Sequence, residues 1–505
     1  MKFCGVLVAI LAVYCVGVLP DIQAADWESD IRLTNDKALS NHSRVAVSGP
    51  VVHVVWEDSR DGNEEVYYKR STDDGRTWSS DVRMSPANGI MTLRPDVAAW
   101  GDNAYIVWQD YRSWDTEIYF RKSTDNGATW GAEQTLPYPS WSCYCAAIAV
   151  EGNNIHVVYH NYVTQNYEIY HVYSTNGGST WNYSQNISNN NGDSEIAEIA
   201  VSGGFVHVVW QDNTTGTAEV LYNRSTNNGA SWGTPVMISP SGANSTWPDI
   251  DCYGSNCHIV WQDYRVHDTT VYHRRSTDNG ASWDPEQGIL GGPGMGSNYG
   301  AAVAVNGPCV HVTSHNQWNA GNYEIYYNRS TDSGSTWDWN YYGQRLTNDA
   351  AGSSESDIGV SPNYDFPHVV WTDDRDGNNE IYTKHKSVIP DIRIDGQDGP
   401  LNISSSQSIA LTIHLDPMSQ AGANHDWWIV AEKAGGATFS WVYSIPWHWT
   451  PGVQRAHAGP LFSLATYPVH NGTIPVGTWR ITFALDTLNN SYEQTHRDSI
   501  DVTSS

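Results

Sequence analysis

The chain has 505 residues, with 27 Lys and Arg against 55 Asp and Glu, and a net charge of −28. A field of that sign repels nucleic acid and anionic membrane surfaces, and it disfavours a polyanionic substrate unless local arginines reverse it. The length allows two or more domains, each with a core of its own.

Residues 1–24 combine Lys2, an apolar run from Val6 to Leu19 and a small residue at Ala24. They read as a secretory signal peptide, and the apolar run is short for a membrane span. No later stretch is apolar for long enough to cross a bilayer. The expectation is an exported protein, extracellular or periplasmic, with no membrane insertion. Cys252 and Cys257 bracket Tyr-Gly-Ser-Asn and are expected to pair across a hairpin in an oxidising compartment; Cys143, Cys145 and Cys309 leave an odd thiol without an assigned partner.

From residue 25 the chain repeats. His53-Val-Val-Trp returns as related tetrapeptides beginning at Tyr105, His156, His207, His258, His311 and His368, and Ser-Thr-x-x-Gly-x-x-Trp follows at Ser71, Ser123, Ser174, Ser225, Ser276 and Ser330. A period near 50 residues marks a repeat architecture. Each copy resolves into four short strands, A to D, separated by Gly, Asn, Asp and Pro turns; in the fourth copy they are IAEIAVSG, FVHVVWQD, AEVLYNRS and SWGTPVMIS. Four strands per copy, arranged radially, make a β-propeller. The seventh copy lacks strand D, and Asp30-Ile-Arg-Leu-Thr-Asn-Asp36 resembles the strand D sequence at Gln344. An N-terminal strand completing the last blade would close a ring of seven and remove an open edge; six blades with one degenerate copy is the alternative. After Pro390 the repeat stops, and residues 390–505 read as a separate β-sandwich with tryptophans at 427, 428, 441, 447 and 449.

The six tails STDDGRTW, STDNGATW, STNGGSTW, STNNGASW, STDNGASW and STDSGSTW resemble the Asp-box (BNR) repeats of the sialidase-like superfamily, over roughly residues 26–389. The resemblance implies an all-β propeller; a shared fold does not fix the chemistry. In sialidases an arginine triad acts with a Tyr/Glu pair and an Asp acid. Arg44 and Arg60 resemble the first two arginines, and Asp61 is a candidate acid. Arg44 lacks the Ile-Pro that follows it in the family, and the family's ring has six blades.

Function on such a ring is sought at the end carrying the D–A and B–C loops. There W-x-D-x-R recurs with Arg60, Arg112, Arg265 and Arg375. These arginines could bind carboxylates bidentately, although a repeated Asp–Arg pair is most simply an ion pair of the architecture. Copies three and six break the pattern and place His160 and His315 where a proton could be abstracted, as a polysaccharide lyase requires. The variable D–A loops hold Trp141, Tyr144, Trp247 and Tyr299, aromatic residues suited to stacking on sugars. Asp373-Asp-Arg-Asp-Gly resembles an acidic calcium loop, with an ordinary tight turn as the simpler reading; no other cofactor is indicated. Together these features point to an exported propeller with a carbohydrate partner, binding first and cleavage second, whose oligomeric state the sequence leaves open. The alternatives are an exo-sialidase-type glycoside hydrolase, a polysaccharide lyase, and a protein-interaction or adhesion scaffold.

Overall fold

The computed structural model describes residues 27–386, apart from 114, 140–141, 164, 241, 243, 266–267, 292–295, 318–320, 340 and 362–365, together with backbone strands between 391 and 504. The presumed signal segment and Trp141 lie outside the described residues.

Seven four-stranded antiparallel sheets make up residues 27–386. Their innermost strands, A, run Ser40–Ser48, Thr92–Trp100, Cys143–Glu151, Ser194–Ser202, Ser245–Tyr253, Asn298–Asn306 and Ser353–Val360. Each packs on the strand A of the next blade, and the first packs on the seventh, so the ring is closed. Blade 7 supplies three strands of its own, and the N-terminal strand Ile31–Arg32 takes the fourth place, Ile31 opposite Thr383. The blade count is seven, and the six-bladed alternative falls.

Strand B is the core of each blade because its side chains are buried on both faces. Val51–Asp58 reads Val-Val-His-Val-Val-Trp-Glu-Asp and is buried at every position. Valine and isoleucine from one blade meet those of the next in a series of inter-blade clusters. The histidine of strand B pairs with a residue of strand C beside it: His53 with Tyr68 at 2.8 Å, His207 with Tyr222 at 2.7 Å, and His258 with His273 at 2.9 Å.

The Ser-Thr-x-x-Gly-x-x-Trp turn caps itself and grips its neighbour. In blade 2 the Ser123 hydroxyl accepts from the Gly127 amide at 2.9 Å, and Asp125 accepts from the amide and hydroxyl of Thr129 at 2.9 and 2.6 Å. The glycine then lies directly on the His–Tyr pair of the preceding blade, and the tryptophan packs edge-on against the same pair, as Trp130 does on Tyr68 at 4.9 Å. A Cβ on Gly280 would stand 1.8 Å from the Tyr222 hydroxyl, at a φ of +72°. The chain needs glycine here for space as well as for conformation.

Beyond residue 387, three strands form one sheet (Asp391–Ile394, Ile409–Leu415, Leu464–Gly472), and seven form another around Asn424–Lys433 and Gly477–Thr487. The side chains of this second unit, its tryptophans included, lie outside those described.

Two predictions test the blade contacts. Gly280→Ala should lower stability by about 3 kcal/mol or more, whereas Gly254→Ala, at a hairpin with nothing within 4 Å, should cost only about 1–2 kcal/mol, as read by denaturant unfolding. The second concerns pH. Burial pushes the His53 imidazole from the ordinary 6.5 down to about 3. The unfolded chain therefore takes up a proton below pH 6.5 that the native state refuses, and stability drains as pH falls through that window. His53→Gln removes the drain. Its cost relative to wild type should shrink by about 2 kcal/mol between pH 6.5 and 5, at about 1.4 kcal/mol per pH unit.

Candidate functional site

Every strand A carries the same irregularity near its start. The pairing with strand B slips between Asn41 and Arg44, and likewise in the six other blades. At each slip the third residue of strand A has a positive φ: His42, Arg94, Cys145, Ile196, Trp247, Gly300 and Glu355, all between 48° and 58°. Such a bulge re-aims a side chain and is costly for β-branched or bulky residues, so Ile196 and Trp247 hold it only because the ring imposes it.

A side chain from strand B of the preceding blade steadies the bulged amide. Glu57 accepts from the Arg94 amide at 2.7 Å, Gln109 from Cys145 at 3.0 Å, Gln262 from Gly300 at 3.2 Å and His315 from Glu355 at 3.3 Å. Glu355 in turn accepts from the His42 amide at 3.2 Å, which carries the device across the closure. The middle residue of W-x-D thus has an architectural use that the repeat conceals.

The bulges surround a cavity of about 800 Å³ on the propeller axis. Trp247, Tyr264, Tyr299, Tyr323 and His315 stand on one side of its wall, from blades 5 and 6. Trp247 is 41% exposed, with Tyr264 beside it also exposed. Further in, the fifth residue of strand A is Arg44 in blade 1, Asp96 in blade 2, Glu198 in blade 4, Asp249 in blade 5 and Asp357 in blade 7. The Arg44 guanidinium lies 3.9 Å from Glu198, with side-chain exposures of 36% and 26%, so both remain open to the cavity. Asp96, Asp249 and Asp357 anchor themselves through neighbouring amides, accepting from Ile148, Val303 and Val45 at 2.7–2.8 Å.

One guanidinium among four carboxyl groups cannot keep them all ionised. Burial, with mutual repulsion, moves the Asp96 carboxyl up to about 6 and Asp249 up to about 7, and raises Glu198; burial raises Asp357. Asp251, one step deeper, is likewise pushed up to about 7 by burial although it accepts two backbone amides. Carboxyls that titrate near neutrality in a concave site are functional-site candidates on physical grounds.

Four of the sequence candidates meet in this cavity: Arg44, Trp247, Tyr299 and His315. The other candidates among the described residues do not line it. Arg60 is folded onto Asp58 and Asp81 and lies over the Tyr67 ring at 4.3 Å. Arg112 and Arg265 repeat that arrangement with Glu133 and Glu286, and Arg375 with Asp30 and Asp349. Asp61 accepts from Tyr67 and Arg83 at 2.6 and 2.8 Å. His160 is buried between Tyr144 and Tyr167, and burial lowers it to about 4. His315 is also lowered to about 4, and its Nδ1 already accepts the Glu355 amide, so that nitrogen is not free to take a proton from a ligand. In the acidic turn, Asp373 is engaged by Arg375, Trp371 and Ser353, and Asp376 by Tyr382 and Arg32. Cys252 and Cys257 are joined as a disulfide.

Sequence reasoning missed Asp96, Glu198, Asp249, Asp251 and Asp357. For Asp96, Glu198, Asp249 and Asp357 the signal was a charge at a strand A position that blades 3 and 6 fill with Ala147 and Ala302; for Asp251 it was a charge in a column otherwise filled by alanine or glycine.

No family model and no curated protein matches the chain. Its neighbours among solved structures include sialidases. It is similar to a mutant of Trypanosoma rangeli sialidase displaying trans-sialidase activity, at 9% identity over 95% of this chain and 94% of that one, with a TM-score of 0.42. A subtype N10 neuraminidase-like protein of A/little yellow-shouldered bat/Guatemala/060/2010 matches at 9% identity over 59% and 93%, TM-score 0.41. A protein of unknown function from Dyadobacter fermentans matches at 11% over 72% and 99%, TM-score 0.42. At these identities no residue of this chain takes a role from them.

The axial cluster makes its own prediction. The folded-state pKa of Glu198 is raised above the ordinary 4.5, so its contribution worsens as pH rises past that value. Glu198→Gln should therefore raise the melting temperature at pH 8 and have a smaller effect at pH 5, measured by calorimetry.

Proposed function

We propose that this is an exported glycan-binding propeller that takes the end of an extracellular carbohydrate chain into its axial cavity. The observation that carries the reading is Trp247, held exposed in a left-handed conformation over a cavity of about 800 Å³. The bulge that the propeller imposes fixes this exposed indole in place, which suits a preformed stacking platform. Tyr264 and Tyr299 extend the platform, and the carboxyls and Arg44 beneath supply hydrogen-bond partners for hydroxyl groups.

Hydrolysis of the bound glycan is the second reading, and one observation favours it. Asp96 and Asp249 titrate at about 6 and about 7, where a carboxyl can protonate a departing glycosidic oxygen while a neighbour stays ionised. Sialoside cleavage fits the cavity less well. The charge of Arg44 is shared among surrounding acids, and Arg60, the second arginine of the resemblance, is held with the repeat arginines Arg265 and Arg375 in ion pairs of the blades. A protein-interaction scaffold would need a broad apolar patch at this end, whereas the rim is mixed in polarity.

Glycan-array screening of the secreted protein, with fluorogenic glycosides in parallel, tests this reading. Wild type should retain glycans, and Trp247→Ala should weaken retention about tenfold at an unchanged melting temperature. Absence of any glycan signal with folded wild type would overturn it.

A further inference from the structure

The charge of the cavity narrows the ligand class. Its wall holds six carboxyl groups against two guanidinium groups. Blade 1 contributes Arg44 and His42, and blade 2 Asp96 and Arg94; blade 4 adds Glu198. Blade 5 presents Asp249, Asp251 and Tyr264, blade 6 Tyr299, Tyr323 and His315, and blade 7 Glu355 and Asp357, while blade 3 offers only the apolar Ile148. Glu355 is engaged with His42, whose ring nitrogens lie 3.0 Å from Glu57 and 3.3 Å from Glu355. Four of the remaining acids share the single charge of Arg44.

That arrangement lacks a cation. An anionic sugar entering it would meet repulsion from most directions, whereas an ammonium group would take up the surplus acceptor oxygens. A second feature points to a sugar. Trp247 and Tyr264 stand exposed in the same wall, aromatic faces on which a sugar ring can stack.

We infer that the axial cavity selects an amino sugar, a hexosamine residue with a free ammonium group, seated against Trp247 with its charge directed at Glu198 and Asp249. This rests on the glycan reading above and deepens it. The acids that hold protons near neutrality give the binding its signature: the arriving ammonium stabilises their ionised forms, and protons are released to the buffer as the sugar binds.

The test is titration calorimetry on the full secreted chain with three probes: a glucosamine trisaccharide, its N-acetylated counterpart and sialyllactose. At pH 6.5 the amino trisaccharide should bind about tenfold or more tighter than the acetylated one, and two buffers of different ionisation enthalpy should report net proton release. Glu198→Gln and Asp249→Asn should each cost the amino trisaccharide about tenfold more than they cost the acetylated one, one charge interaction being worth about a factor of ten, and an equal loss for both sugars would overturn the assignment. Equal affinity for the two trisaccharides, or tightest binding of sialyllactose, would overturn the amino-sugar assignment and leave the glycan reading standing. Competition by spermidine as effective as by the sugar would also overturn it, since the cavity would then be reading charge alone. If none of the three sugars binds to folded protein, the inference fails; silence on the full array as well removes the glycan reading with it.

Discussion

The structure depends on the grip of one blade upon the next. A four-stranded sheet cannot bury both of its faces alone, so each blade is stable only as part of the ring. The grip is concentrated where the Gly of one turn and its Trp meet the buried His–Tyr or His–His pair of the previous blade, or the Tyr105–Phe120 pair of blade 2. The contact demands several properties at once. The glycine has no room for a Cβ, the serine and aspartate must satisfy the amides of the turn, and the histidine must stay neutral to be buried. Six copies of one motif follow from that conjunction, and none of its residues needs a ligand to explain it. Closure extends the same logic: Ile31–Arg32 completes the seventh sheet, and the charges of Asp30 and Arg375 meet across the ends of the ring.

Seven identical bulges then decide what the ring can present. By turning the third residue of each strand A out of register, the fold devotes one position per blade to the rim of the axis, and by restoring the register it aims the fifth residue at the axis itself. These two positions lie outside the contacts between the Gly–Trp turns and the buried pairs, and they differ from copy to copy. They are His, Arg, Cys, Ile, Trp, Gly and Glu at the rim, and Arg, Asp, Ala, Glu, Asp, Ala and Asp within. The strand B residue that steadies the bulge varies with less freedom, because Glu, Gln or His must still offer an acceptor to the neighbouring amide.

The propeller was legible in the sequence because its determinants are local and repeated: the period, the Ser-x-x-x-Gly turn and the stray strand at Asp30. The site was legible only in part. Trp247 and Tyr299 stood out as aromatics in variable loops, and Arg44 through its resemblance to a family arginine. The repeated arginines drew attention as possible ligand groups, yet each is folded onto an aspartate two residues away, a contact that spacing alone permits but cannot prove. The axial acids escaped because Asp96 and Asp249 lie about 150 residues apart and converge only when the ring closes. Each looks ordinary in its own strand. Reading the seven copies column by column, and attending to the columns that disagree, is the operation that would have exposed them.

The axial cluster also shows a stability cost located where function can use it. The histidines of the blade contacts are held neutral at neutral pH, and they make the fold lose stability as pH falls. The carboxyls of the axis act in the opposite sense: their raised pKa values mean that the fold loses stability as pH rises, because ionising them brings uncompensated charge into one space. The first effect is shared around the ring and follows from packing. The second belongs to four blades; three of its carboxyls accept an amide of the next blade, yet the ring stands with alanine at the same position in blades 3 and 6, and the charge would be relieved by substituting neutral residues. A repeat architecture that retains such a cost at a column that alanine can fill has a reason outside its own stability. The reason consistent with the aromatic rim and the surplus of carboxyl groups is a ligand that completes the cluster when it binds.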